Sequence, residues 1–154
     1  MSKKKQSSDL ASNRQVYHNF EVLETFETGI SLMGTEVKSL RANSASLQES
    51  YVKIINQELW LLGAHIPPYS HGNINNHQEQ RDRKLLMHKK EISKLRSTVI
   101  EKGMTLVALK LYLTRGIVKV KIGLAKGKKL HDKRAALKER DDAKRIQRSL
   151  KNDL

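Results

Sequence analysis

Two apolar runs near the carboxyl end constrain the fold more than any other stretch of the chain. Thr105 to Leu113 and Ile117 to Leu124 are separated only by Thr114-Arg115-Gly116, and in the second run Val118, Val120 and Ile122 alternate with Lys119 and Lys121. A period of two puts the branched apolar residues on one face and the lysines on the other, so the pair predicts a hairpin with one dry face and one wet, basic face.

The remaining elements fit around that hairpin. FEVLETFETGISL, Phe20 to Leu32, also alternates and predicts a strand, with a bulge or bend at Gly29. GTEVKSLRAN predicts a short helix with Thr35 as its N-cap, Val37 and Leu40 on one face, Lys38 and Arg41 on the other, and Asn43 as its stop. Tyr51 to Ile55 and Leu59 to Ile66 flank Asn56 and Gln57 as the arms of a second hairpin, in which Trp60 is expected to supply a large buried area, and Pro67-Pro68 end it. The polar stretch from Pro67 to Arg83 is expected to be a loop. Ile92, Leu95 and Val99 predict a helix over Lys90 to Lys102, stopped by Gly103.

About six strands with short helices between them, in a chain of 154 residues, predict a mainly β fold: an OB-like closed antiparallel barrel, because closure removes exposed edges. Residues 1–12 are expected to be a disordered leader, 13–125 the barrel, and 126–154 a basic tail. The tail has Ala143, Ile146, Leu150 and Leu154 at helical spacing but only a thin apolar stripe, so it is expected to be disordered alone and helical against a partner. With no cysteine, disulfides and thiolate metal sites are excluded. The absence of a signal peptide's apolar core, or of any long apolar run, predicts a soluble cytoplasmic protein with no membrane partner.

Charge points to the partner. Thirty Lys and Arg stand against 16 Asp and Glu, a net +14, and eleven of the basic residues lie between Lys126 and Lys151. Three basic elements, Arg81 to Arg96, the Lys119/Lys121 strand face and the tail, exceed what solubility requires and predict a nucleic-acid partner. RNA is favoured over DNA, because no recognition helix is visible while Tyr17, Tyr69, Tyr112 and the histidines offer stacking and edge contacts. Aromatics make up only 5% of the chain, which limits that preference.

Other chemistry finds little support. His65, His71 and His77 recur every six residues, a spacing that fits no common zinc pattern, so neither a metal nor another cofactor is expected. Gly123, Gly127 and Lys128 only superficially resemble a phosphate loop, since Lys129 stands where Ser or Thr should hold magnesium. No nucleophile elbow, HExxH or acid pair in context is present, and no catalytic residue is expected.

The strings FETGISLMGTEVKSLR, RKLL and KVKIGLAKGKKLHDKR, in this order, closely resemble the small protein B family, the partners of transfer-messenger RNA in bacterial trans-translation. The resemblance covers roughly Asn13 to Arg148. It implies a six-stranded OB-type barrel, acting as a monomeric RNA-binding adaptor rather than an enzyme. That adaptor grips the tRNA-like domain of transfer-messenger RNA and helps to deliver it to stalled ribosomes. It places His18 and Glu27 on the RNA-binding face, where Glu27 would accept hydrogen bonds from base amino groups or a 2′-OH. Arg41 either contacts RNA through its guanidinium or holds Glu36 or Glu27 in place. Leu86 falls in the family's interface segment, and His88 stands at an Asn position of that segment, where it can donate or stack but cannot reproduce an amide.

In the tail, the resemblance implies that Lys126, Lys128 and Lys129 meet ribosomal RNA phosphates and that Gly127 lets the arm swing. His131 would stack on a base, and Asp132, Lys133 and Arg134 would fix the start of a helix that forms in an empty messenger channel. Two other readings stand beside this one. A general basic RNA-chaperone would bind with little discrimination, and an RNA-processing enzyme would use His71, His77 or His131.

Overall fold

The computed structural model describes residues 8–42, 45–70 and 76–128. Seven strands and three helices follow in the order β1 (Ser8–Ser12), α1 (Val16–Asn19), β2 (Phe20–Ile30), α2 (Gly34–Ala42), β3 (Tyr51–Ile55), β4 (Glu58–Leu62), β5 (Arg83–Leu86), α3 (Lys89–Lys102), β6 (Thr105–Thr114) and β7 (Ile117–Gly127). The strand order is β1-β6-β3-β4-β5-β2-β7, with β7 also pairing β6. Six strands therefore close a ring, β1 is added alongside β6, and every pairing is antiparallel. This is the barrel expected from the alternation.

Period-two residues fill it. Leu59, Leu61, Leu85, Leu106, Ala108, Leu111, Val120 and Ile122 form the interior, each no more than 3% exposed, with Leu40, Ile92 and Leu95 brought onto it by α2 and α3. A second, smaller cluster sits on the outside of the barrel. There Val16 of α1 packs with Val107, Leu109 and Ala125, flanked by Phe20 and Val22. Gly123 lies beneath it: a Cβ there would be 3.0 Å from Val22, 3.1 Å from Leu109 and 3.4 Å from Val107. Three neighbouring side chains use the space that a side chain at 123 would need.

Both hairpins turn as expected. Asn56 and Gln57 have φ of 51° and 63°, and Arg115 and Gly116 have φ of 51° and 77°, the left-handed pairs that suit two-residue connections between twisted strands. Gly103 (φ 60°) ends α3 with its amide bonded to the Val99 carbonyl.

Several local expectations are corrected. Residues 8–12 are not a disordered leader but β1, whose backbone pairs with β6, whose Leu10 and Ala11 pack on the core, and whose Asp9 pairs with Lys110 at 3.2 Å. Residues 1–7 lie outside the described part. Asn13 then anchors the chain: it is buried, and its Nδ2 donates to the carbonyls of Leu47 (3.1 Å) and Ala108 (3.4 Å). The irregularity in β2 falls between Val22 and Glu24 rather than at Gly29. Thr35 does not cap α2. The helix begins one residue earlier, and the Glu36 carboxylate accepts from the Met33 amide at 2.8 Å, the reach-back half of a capping box. The Asn43 stop lies outside the described residues. Trp60 is only half-buried, because it faces outward between Leu59 and Leu61, opposite Lys53 and Lys84. The second arm of its hairpin ends at Leu62, ahead of Gly63 (φ 78°), and β5 adds a strand that periodicity did not reveal in only four residues. The first residues assigned to the tail are also strand: Lys126 and Gly127 complete β7 opposite Glu21 and Phe20.

Candidate nucleic-acid interface

The outer face of β2, β7 and β6 carries the expected acid and the expected lysines together. Glu27 lies directly opposite Lys121, and Lys121 in turn lies opposite Lys110. The Glu27 carboxylate nevertheless accepts its hydrogen bond from the hydroxyl of Tyr112, a β6 residue whose own partner on β7 is Lys119. The glutamate thus reaches across β7. Tyr112 is buried, and burial together with the adjacent Glu27 carboxylate pushes its phenol well above the ordinary value, so it is a neutral donor at physiological pH. Thr25, Phe26, Glu27, Lys110, Tyr112 and Lys121 line a hollow of about 320 Å³.

Beside that hollow, Gly29 pairs with Leu86 on one side and Lys119 on the other. A Cβ at Gly29 would lie 3.2 Å from that of Leu86. The glycine leaves this flank of Leu86 open, and Leu86 is 52% exposed. His88 follows at the mouth of α3. It occupies the N-cap position with an extended backbone, but its ring makes no cap, so it is exposed and available to an outside partner. Between β2 and α3 runs a larger cleft of about 620 Å³, lined by Glu24, Glu27, Met87, Glu91, Lys94 and Leu95 among others.

The remaining predicted residues are placed elsewhere. His18 is exposed in α1, just ahead of β2 and at the opposite end of that strand from Glu27 and Gly29. Its neighbours are the end of β7 and Lys128, which donates from its backbone amide to Asn19 and from Nζ to the Tyr17 carbonyl, both at 2.9 Å. The structure therefore gathers Glu27, Leu86 and His88 at one end and His18 with Lys126 and Lys128 at the other. Arg41 is exposed on the last turn of α2 and makes no hydrogen bond or ion pair among the described residues. The alternative that it holds Glu36 or Glu27 is overturned, since Tyr112 bonds Glu27 and two other arginines hold Glu36. Gly127 is extended and strand-paired, with open space where a Cβ would lie. Lys129, His131, Asp132, Lys133 and Arg134 lie outside the described residues.

Glu36 carries the support that sequence reasoning missed. It is fully buried; its Oε2 accepts from Arg83 Nε at 2.5 Å and its Oε1 from Arg81. Arg83 is equally buried and also donates to the carbonyls of Ala64 (2.9 Å), Arg81 (3.1 Å) and Glu79 (3.1 Å). Burial alone would raise the Glu36 pKa, but hydrogen bonds from Arg81, the Met33 amide and Arg83 outweigh it and hold the carboxyl below its ordinary range. Burial lowers the pKa of Arg83, opposed by Glu36; a guanidinium remains charged regardless. This cluster, with buried His77 between Thr35 Oγ1 and the Ile66 carbonyl (3.0 Å each), ties the 64–83 connection to α2 and so fixes β5 and Leu86. His65 pairs with Glu79 at 2.7 Å, and among the described residues no group of three potential metal ligands converges. No helix among them is long and apolar enough to cross a membrane.

Comparison with known proteins agrees with this architecture. The family model described as SmpB protein matches residues 10–152. The chain is similar to the SsrA-binding protein of Protochlamydia amoebophila (strain UWE25), with 58% identity over 148 residues covering 96% of this chain and 97% of that one. It is also similar to the SsrA-binding protein of Trichormus variabilis (strain ATCC 29413 / PCC 7937), with 54% identity over 144 residues covering 93% of each. Among solved structures it resembles a chain of "tmRNA-SmpB: a journey to the center of the bacterial ribosome", with a TM-score of 0.63 and 48% identity, over 77% of this chain and 84% of that one.

Proposed function

The chain belongs to the SmpB protein family, and from that premise we propose that it is an RNA-binding adaptor, not an enzyme. It binds the tRNA-like domain of transfer-messenger RNA and delivers it to stalled ribosomes in the cytoplasm, as a monomer and without a cofactor. One observation carries the reading: a curated relative whose very name is SsrA-binding protein is 58% identical across nearly the whole length of both chains.

In this reading the Glu27, Leu86 and His88 end of the barrel meets the RNA. Glu27 accepts from a base amino group or a ribose hydroxyl, Leu86 packs against a base, and His88 donates or stacks. His18 and Arg41 extend the contact. The tail enters the messenger channel when it is empty: Lys126, Lys128 and Lys129 meet ribosomal RNA phosphates, Gly127 lets the arm swing, His131 stacks, and Asp132, Lys133 and Arg134 fix the helix start. Because a channel holding message has no room for the arm, folding there reports that the message has run out.

Competition binding of the full chain to transfer-messenger RNA against excess bulk tRNA, across a salt series, tests the proposal. Selectivity that persists as salt rises is the expected result. Affinity that collapses equally for both RNAs would leave a general basic RNA chaperone.

A further inference from the structure

Opposite charges facing each other across an antiparallel pair ordinarily meet, and Glu27 and Lys121 are direct partners on the same outer face. Here they do not pair. The carboxylate is bound instead by the Tyr112 hydroxyl, and Lys121, which is exposed, makes no ion pair or hydrogen bond among the described residues. The neighbouring Lys110 is occupied by Asp9 at 3.2 Å. One anion and one unpaired cation therefore stand side by side, un-neutralised, on the wall of a single 320 Å³ hollow.

We infer that Tyr112 is a positioning residue of the RNA site: its phenol draws Glu27 across β7 and thereby keeps Lys121 free. The two charges then serve one nucleotide at once, the carboxylate accepting from a ribose hydroxyl or base N–H while the ammonium meets the adjacent phosphate. The phenol suits this task because it is a single, fixed, neutral donor. Being held well above its ordinary pKa by burial and by Glu27, it neither loses its proton nor adds a charge of its own. A serine on β6 would be too short to reach, and a cation there would itself compete for phosphate.

The inference deepens the transfer-messenger RNA reading, and its test separates the two. In full-length Tyr112→Phe the ring still fills its place, but Glu27 is released and pairs with Lys121. Affinity for transfer-messenger RNA is expected to fall about tenfold at fixed salt. The slope of log affinity against log salt should also shrink by about 0.7 to 0.9, the equivalent of one lost phosphate contact. Tyr112→Phe combined with Glu27→Gln frees Lys121 again, so the slope should return to the wild-type value while the affinity stays low.

An unchanged slope in Tyr112→Phe, or one not restored in the double variant, overturns the inference and leaves Tyr112 a packing residue. A urea titration of each variant identifies loss of fold, which would lower affinity without restoring the slope in the double variant. The wild-type preference for transfer-messenger RNA over bulk tRNA is measured in the same series, and its absence would defeat the functional reading alone, since the slopes can be read with either RNA.

Discussion

Glu36 shows how one residue inside a recognisable motif can have a role its neighbours in sequence do not reveal. In the string GTEVKSLR it enters only as an acid in the first turn of a helix that Arg41 could hold in place. The structure buries it completely between two arginines that lie 45 and 47 residues further on. Glu36→Ala strands Arg83 as a buried charge without its counterion, and should cost about 3–5 kcal/mol, measured as a fall in urea midpoint with an unchanged m-value. Acid acts on the same group. The folded pKa is depressed, so its contribution is fully present above the unfolded value near 4.5 and is lost as pH falls through the folded value. Thermal unfolding followed from pH 7 down to 2 should show a wild-type decline below about pH 4.5 that is shallower in Glu36→Gln, which starts from a lower stability. Glu27 could be picked out by its motif, but Tyr112 as its partner could not, because 85 residues separate them.

Elements were legible wherever a local period or a turn signal decided them. The β6–β7 hairpin, the turn of the β3–β4 hairpin and α3 with its Gly103 stop follow from alternation, left-handed turn residues and helical spacing, although the second arm of the β3–β4 hairpin is shorter than expected. β1 lies in a small, polar stretch with little apolar alternation and β5 is only four residues long with no turn signal beside it; each forms because a neighbouring strand offers unpaired backbone groups. The α1 segment is likewise a tertiary product: four residues held by Val16 over Val107, Leu109 and Ala125. The glycine beneath that cluster is its most exacting position. Gly123→Val forces a branched side chain against Val22 and Leu109 and should destabilise by about 1–3 kcal/mol. Hydrogen exchange should show the loss first in the amides of residues 13–19, whereas a general weakening of the barrel would raise exchange in β3 and β4 equally.

At the scale of the whole molecule, closing the ring brings the end of β7 and Lys128 against α1, beside His18 and away from Glu27 and Leu86. Cutting the chain after Leu130 should retain binding to transfer-messenger RNA within about threefold, because the face at Glu27, Leu86 and His88 is untouched, while abolishing rescue of ribosomes stalled on message without a stop codon; both are read by gel shift and by tagging of a truncated message in a reconstituted translation mixture. Loss of binding on the same cut would place the RNA site in the tail instead. The sequence by itself determined the fold class, the strongly basic balance and the family, because alternation, charge and motif strings are properties of neighbouring residues. Only the tertiary structure decided that Glu36 is the buried counterion of Arg81 and Arg83, that Arg41 is unoccupied among the described residues, that Trp60 faces outward, and that the Glu27 carboxylate is bound by Tyr112 across β7 rather than by its direct neighbour Lys121. Each depends on which strands lie side by side once the ring closes, and register across a closed sheet is set by packing of the whole interior rather than by any local stretch of chain.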